Sequence, residues 1–558
     1  MNGAAALRNQ AQIAAKAGDM ETARRIYARA VADYPGHAAL LNSAGNFHAG
    51  IGELEKALAL FDKALTAEPE HVDAILNRAL MVARLGRSRE AMADLAPKAQ
   101  KLGQVARYWS VRASLERGLG LHHAAAASTE RWLAIDPDNS RALHGRARLA
   151  LERGEQDMIA RFEAALDANR SDAAAWLGYA QALDYGGRPA DARKAAEALV
   201  AQAPGWIEAH QFLAQLLWAN GERADFTRHF ADAVKAQPDN AALYLGWSQA
   251  LAGVDQFEKA AAVAADGFAR LPGNSALALA CAVRWGEAGD DARAERLFAA
   301  MALSTPDRWL QEARHRLRRR EPDQAERLLA RVIEATPDTV SAWALRDLAW
   351  RMMDDPRCAW LHQQDGLVRQ LPLGLEPAAL NAVVSLLNRL HDKAAMPVGQ
   401  SVREGSQTRG GLFDRLEPEL QMVRKAVEAV AETYRSGLPA ADRHHPLLQH
   451  REALWAIRGS WSIRMAGGGR HTEHVHPQGL LSSALHLVVP SNQGDCGAGA
   501  LELGRSPPDL RIDLPPFETI QPRVGHCVLF PSTVYHGTRP FPAGLRLSIA
   551  FDIALAPR

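Results

Sequence analysis

The sequence predicts two unlike parts: an all-α array of helix pairs over residues 1–353 and an all-β domain of the sandwich or barrel class, with flanking helices, over 354–558. Three observations carry this. Glycine recurs at Gly18, Gly52, Gly86, Gly120, Gly154, Gly187, Gly221 and Gly289, at close to multiples of 34 residues. That period fades after Pro337, and Met353-Asp-Asp-Pro356 breaks the last helix. From Trp455 onward the chain alternates in short runs bounded by Gly and Pro, as strands and turns do.

Within the array, a proline series lies 17 residues behind the glycines: Pro35, Pro69, Pro137, Pro204, Pro238, Pro272 and Pro306. Each glycine permits the tight turn between two helices, and each proline ends the second helix. Asp255 and Asp323 take the skipped glycine places, and small residues such as Ala23, Ala57, Ala91 and Ala125 let paired helices approach. The second unit carries Leu41, Ala44, Gly45, Gly52, Ala57, Phe61, Ala64 and Pro69, while Trp109, Trp176 and Tyr244 fill a large aromatic place elsewhere. This pattern resembles the tetratricopeptide repeat. The resemblance implies a superhelix whose groove holds a protein or peptide. Arg314, Arg316, Arg318, Arg319 and Arg320 form a basic cluster that reads as a solvated helix face, with an acidic partner as the alternative.

Composition narrows the function classes. Lys and Arg number 65 against 64 Asp and Glu, so charge gives no reason to expect nucleic acid or a membrane surface as partner. Cys281, Cys358, Cys496 and Cys527 are scattered without a C-x-x-C pair, which argues against a disulfide framework or cysteine zinc site. The amino terminus lacks the pattern of a secretion signal, and no run of about 18 uncharged apolar residues occurs. The expectation is a cytoplasmic protein.

In the second half, helices are predicted over Pro377 to His391 and Pro418 to Gly437, with the polar stretch Gln400 to Gly411 between them as a lid or an ordered loop. The chemistry lies further on. His474-Val-His476-Pro477 is followed by His536 and then Arg546. Two histidines at i and i+2 of a strand share a face, as two ligands of one metal must. Imidazole suits iron, and an arginine fork can hold a carboxylate. Arg464 alternates so as to point inward, His471 reads as a loop residue and His526 as a strand residue.

From about residue 354 to 556 the chain resembles the 2-oxoglutarate and iron(II)-dependent oxygenases, particularly a bacterial branch found behind tetratricopeptide repeats. The resemblance rests on Gln400-Ser-Val-Arg, Gly405-Ser-Gln-Thr, Gly459-Ser-Trp-Ser-Ile-Arg464, His474 to Ser483, Leu529-Phe-Pro-Ser532, His536-Gly-Thr538 and Arg546 to Asp552. It implies a double-stranded β-helix (jelly-roll) with a metal at one mouth, held by His474 and His536. His476 stands where the wider superfamily often carries aspartate, giving a three-histidine set; Glu473 and Glu502 are the nearest carboxylates that could complete the commoner one. Arg546 falls where the far carboxylate of 2-oxoglutarate is bound, with Ser548 beside it on the same face. His486 replaces a tyrosine that contacts that cosubstrate in relatives.

The reading is a dioxygenase using Fe(II) and 2-oxoglutarate to hydroxylate a protein or peptide recruited by the repeats. Two rivals stand beside it. One is a catalytically inactive oxygenase-fold scaffold; the other is a three-histidine iron dioxygenase that does not use 2-oxoglutarate, which leaves Arg546 without a role.

Overall fold

A computed structural model of the chain describes residues 2–392, 394, 398–490 and 497–556. Helix pairs run from the amino terminus to Val340–Met352, and an antiparallel β domain follows. By internal cohesion the chain divides into two units: Met1–Ala150 with Ala160–Ser171 and Ala556–Arg558, and Leu151–Ile159 with Asp172–Leu555.

The first unit shows why the repeat has its period. Helices Ala38–Gly50 and Leu54–Ala67 meet at Gly52, whose φ of +83° is the left-handed turn that glycine allows without strain. Gly45 is the close-approach position, since a Cβ there would stand 2.5 Å from the Phe61 ring. Ala57, Phe61 and Met81 bury around that contact.

The large aromatic place has a hydrogen-bonding reason. Trp109 donates to the carbonyl of Gly103, Tyr244 to Pro238 and Trp343 to Pro337, each six residues back. The ring fills the helix interface while its N–H or O–H satisfies a carbonyl of the preceding loop. Not every place assigned from sequence holds. Left-handed backbone occurs at Asp255 and at Arg320, not at Asp323, which lies inside helix Pro322–Ala335. The preceding second helix, Asp291–Ala300, is only ten residues long, and the next turn comes correspondingly early.

The second unit joins the later repeats to the β domain. Its strands are β1 Arg369–Pro372, β2 Val402–Gln407, β3 Trp455–His471, β4 Leu481–Val488, β5 Leu501–Leu503, β6 Glu518–Ile520, β7 His526–Pro531, β8 His536–Thr538 and β9 Arg546–Leu555. They form a six-stranded sheet in the order β1-β7-β4-β9-β3-β2 and a three-stranded sheet β6-β5-β8, with every pairing antiparallel. One core lies between the large sheet and helices Pro377–His391 and Pro418–Ser436, around Val383, Val427, Leu485, Ile549 and Phe551. Another lies between the sheets, with Leu501, Leu503, Val528 and Phe530. This is the jelly-roll class the sequence predicts.

Several expectations change here. The stretch Gln400 to Gly411 is neither lid nor loop throughout, because 402–407 is strand β2 paired with β3. The arginine cluster is a solvated face only at Arg319 and Arg320, and Arg314, Arg316 and Arg318 are half-buried or buried in ion pairs. Arg314 and Arg318 both pair with Asp509 at 2.5 and 2.9 Å, Arg316 and Arg319 pair with Glu295, and Arg320 donates to the Arg511 carbonyl. Burial and two guanidinium neighbours compete at Asp509, and the arginines win, holding its carboxyl below the usual range. Cys281, Cys358 and Cys527 are free thiols, and Cys496 lies outside the described residues. No helix among the described residues is long and apolar enough to cross a membrane.

Candidate metal centre

A cavity of about 420 Å³ opens between the two sheets. Its walls come from the end of β3, the segment after it, β8 and the inward face of β9. His474 is not in a regular strand; its backbone bridges His536 of β8 in both directions, N to O 3.1 and 3.0 Å. The i, i+2 parity nevertheless holds. Val475 packs the other way, beside Tyr535 and Ile512, and leaves His474 and His476 facing the cavity.

The three imidazoles expected as ligands converge. Ring centroids lie 4.2 Å apart for His474 and His536, and 5.0 Å for His476 with either. One ring nitrogen of each can be chosen so that all three lie within 4.8 Å of one another. The tautomers follow from the other nitrogens. His474 Nδ1 donates to the Thr472 carbonyl at 2.8 Å and His536 Nδ1 to the Val534 carbonyl at 3.1 Å, since a carbonyl only accepts. His476 Nδ1 donates to the Asp552 carboxylate. The Nε2 of His474 and of His536 is then a bare lone pair, and that of His474 faces His476 Nε2 at 3.0 Å. Three imidazoles with Nδ1 engaged elsewhere and Nε2 turned inward are a donor set that fits a metal such as iron. Burial, reinforced by the neighbouring histidines, pushes His474 down to about 3 and His536 well below the ordinary range, which keeps both rings neutral.

Asp552 is the carboxylate that meets the triad, through His476 rather than as the further ligand for which Glu473 and Glu502 were the candidates. Glu502 is engaged with Arg505 and Arg539, and Glu473 lies against Gly537 with burial raising its pKa. Neither belongs to the histidine triad. Asp552 was legible, because it shares the parity of Arg546, Ser548 and Ala550 along β9, and all four line the cavity.

Arg546 is 3 % exposed. Its Nη1 donates to the Gly499 carbonyl at 2.7 Å, its Nε has no partner, and no carboxylate among the described residues pairs with it. Burial without an opposing charge pushes it down to about 10, which still leaves a cation at neutral pH. Ser548 lines the same wall. His486, opposite Ser548 in the β4–β9 register, is fully buried with both ring nitrogens unpartnered, but it stands behind the cavity lining rather than in it.

Two other residues differ from expectation, while His526 meets it. Arg464 faces away from the cavity and pairs with Asp392 at 3.0 Å, because Trp461, Ile463 and Met465 take the inward face of β3. His471 ends β3 rather than lying in a loop; it lines the cavity and stacks on His474 with ring centroids 6.0 Å apart. His526 is in a strand, at the start of β7. Ser401, not singled out by sequence, contacts two of these rings: its Oγ lies 3.0 Å from His471 Nδ1 and 3.3 Å from His474 Nε2.

Comparison with known proteins agrees with this geometry. Residues 459–552 match the family model described as putative 2OG-Fe(II) oxygenase, and residues 42–107 and 159–216 match tetratricopeptide repeat models. Among solved structures, a tetratricopeptide repeat protein from Parabacteroides merdae is 19% identical, covering 44% of this chain and 98% of its own, with a TM-score of 0.36. A thermophilic TPR protein of Thermus thermophilus is 19% identical over 32% of this chain and 99% of its own, TM-score 0.29. YrrB, described as a TPR protein with an unusual peptide-binding site, is 17% identical over 30% and 88%, TM-score 0.26. No curated protein matches the chain. The chain therefore carries tetratricopeptide repeats and, at 459–552, a domain of the oxygenase type.

Proposed function

We propose that the β domain is a 2-oxoglutarate- and Fe(II)-dependent dioxygenase that hydroxylates a side chain of a protein or peptide brought by the repeats. The observation that carries this is a buried arginine, paired with no carboxylate among the described residues, in the same cavity as three converging imidazoles. A metal site alone needs no such cation. A dicarboxylate spanning the cavity satisfies both ends.

The roles follow from the geometry. His474, His476 and His536 would hold iron(II) through Nε2, oriented by the Thr472 and Val534 carbonyls and by Asp552. Arg546, with Ser548 beside it, would take the far carboxylate of 2-oxoglutarate through its unpartnered face. His486 behind them is neutral and has two nitrogens to offer. When bound, iron(II) with 2-oxoglutarate and dioxygen supplies the oxidising chemistry, with succinate and carbon dioxide as co-products. The protein's part is to hold charge and exclude water. Asp552 supplies next to His476 the negative charge that the three-histidine set lacks. Repeat arrays present extended binding surfaces, and this supports a macromolecular substrate.

Anaerobic titration of the iron(II) protein with 2-oxoglutarate tests the reading. A charge-transfer absorption saturating at one equivalent is expected, followed by succinate formation on admitting oxygen. Iron binding without any response to 2-oxoglutarate would remove the cosubstrate and favour the dioxygenase that does not use it.

A further inference from the structure

Besides the packing of Val475 and Tyr535 against the last repeat helices, the repeats of the second unit reach the metal centre through a short segment, residues 398–403. Its Val398 N–H donates to the Gln215 side chain at 2.8 Å, and its Gly399 N–H donates to the Gly253 carbonyl at 3.1 Å. Gly253 and Gly399 touch backbone to backbone, since a Cβ at Gly253 would lie 2.9 Å from Gly399 Cα. Arg403 closes the grip on Asp255 at 2.8 Å, where the repeat turn adopts φ +63°. All three anchors belong to helices Ile207–Ala219 and Ala241–Ala252 or to the turn after the latter.

The other side of the same segment faces the histidines. The Ser401 carbonyl accepts the Thr472 N–H at 2.9 Å, and Val402 and Arg403 pair with His471 and Arg470 in the β2–β3 register. Ser401 Oγ bonds His471 Nδ1, and it stands 3.3 Å from the nitrogen that His474 turns toward the other two rings. A hydroxyl so placed limits how either ring can rotate. It is held there by contacts that originate in the repeat array.

We propose that the repeat turn Gly253–Asp255 is a positioning element of the metal centre, acting through Ser401 on His471 and His474. The inference rests on the metal reading of the triad for its consequence, but its mechanical link stands on hydrogen bonds independent of any ion. The array then does more than recruit a partner: whatever moves this turn also changes the geometry offered to the metal. Gln215, Gly253, Asp255 and Arg403 are positioning residues that touch neither metal nor cosubstrate.

The test uses the full chain with cobalt(II) as a spectroscopic probe, alongside hydrogen exchange of the metal-free protein. Gly253→Val drives a branched side chain into Gly399. It is expected to leave helical circular dichroism intact, reduce protection of the Thr472 amide, shift the cobalt d–d absorption and weaken cobalt binding by about 10-fold, at the low end for loss of an outer-shell partner. Asp255→Arg should act more mildly, because Arg320 already tolerates the same left-handed turn. Asp255→Arg combined with Arg403→Asp should restore both the protection and the band. A folded Gly253→Val with wild-type exchange and spectrum overturns the proposal, as does a charge swap without rescue if Gly253→Val does not fold. If the wild type binds no cobalt, the oxygenase reading fails, while exchange at Thr472 still decides the link.

Discussion

The two ends of the cavity differ in how their polar atoms are satisfied. At the histidine end every Nδ1 has a partner: a carbonyl for His474, another for His536 and a carboxylate for His476. At the arginine end Arg546 Nε has none among the described residues, and behind the lining neither nitrogen of His486 has one. A buried polar group left unmade costs about 1–3 kcal/mol. On the proposed function, the chain builds the cation site with its own bonds and leaves the anion end incomplete. Such an asymmetry suits a resident ion and a cosubstrate that comes and goes.

Removing a ligand should have the largest effect. His474→Ala or His536→Ala is expected to weaken iron(II) binding by more than about 100-fold, beyond the range for outer-shell partners, while circular dichroism stays unchanged. Iron affinity untouched in both variants would dissolve the distinction between the two ends. Arg546→Leu acts on the other end alone. Loss of a charge-assisted contact of about 1.5–3 kcal/mol predicts roughly 10–150-fold weaker 2-oxoglutarate binding in the anaerobic titration, with iron affinity retained. The same variant should be at least as heat-stable as wild type without ligand, because it removes an unpaired buried cation. A fall in melting temperature would mean that Arg546 already has its partner.

Asp552→Asn should be smaller than ligand loss. It keeps a hydrogen-bond acceptor for His476 but removes the charge, and outer-shell changes of this kind cost about 10–100-fold in metal affinity. Equal iron binding by calorimetry in wild type and variant would show that His476 needs no carboxylate. The last prediction concerns pH and folding rather than ligand binding. His391 and His445 are buried, and burial pushes each down to about 4. As pH falls below about 6.5 the unfolded chain takes protons that these folded rings refuse. Stability should drop by up to about 1.4 kcal/mol per pH unit for each ring as pH falls toward 4, in urea melts without metal. Ligand titrations belong above that window.

How much of this was legible in the sequence depends on range. Periodicity is local, and the repeats, the β domain, His474, His476, His536 and Arg546 all followed from spacing or from motifs at short separation. Asp552 follows from the same parity along β9, but parity alone cannot say which ring it meets. Arg464 failed because alternation gives two faces without saying which is inside; Trp461, Ile463 and Met465 decide that by burying. The Asp323 assignment failed because a strict period does not register one shortened helix. Ser401 lay within the Gln400-Ser-Val-Arg motif but without a role, since its contacts with His471 and His474 join residues 70 and 73 positions apart.

The pairing of Arg314 and Arg318 with Asp509 bears on where this protein can be cut. Arg318 is almost wholly enclosed, with a side chain 1 % exposed against 18 % for Asp509. Secondary structure invites excision just after the last repeat, yet a fragment starting at 354 would lose both guanidinium groups and keep the aspartate. Orphaning one member of a buried pair costs about 3–5 kcal/mol, a large share of what holds an ordinary domain folded. An isolated catalytic half would then owe its poor behaviour to a missing counterion, and Asp509→Asn or →Leu in that fragment is the natural repair.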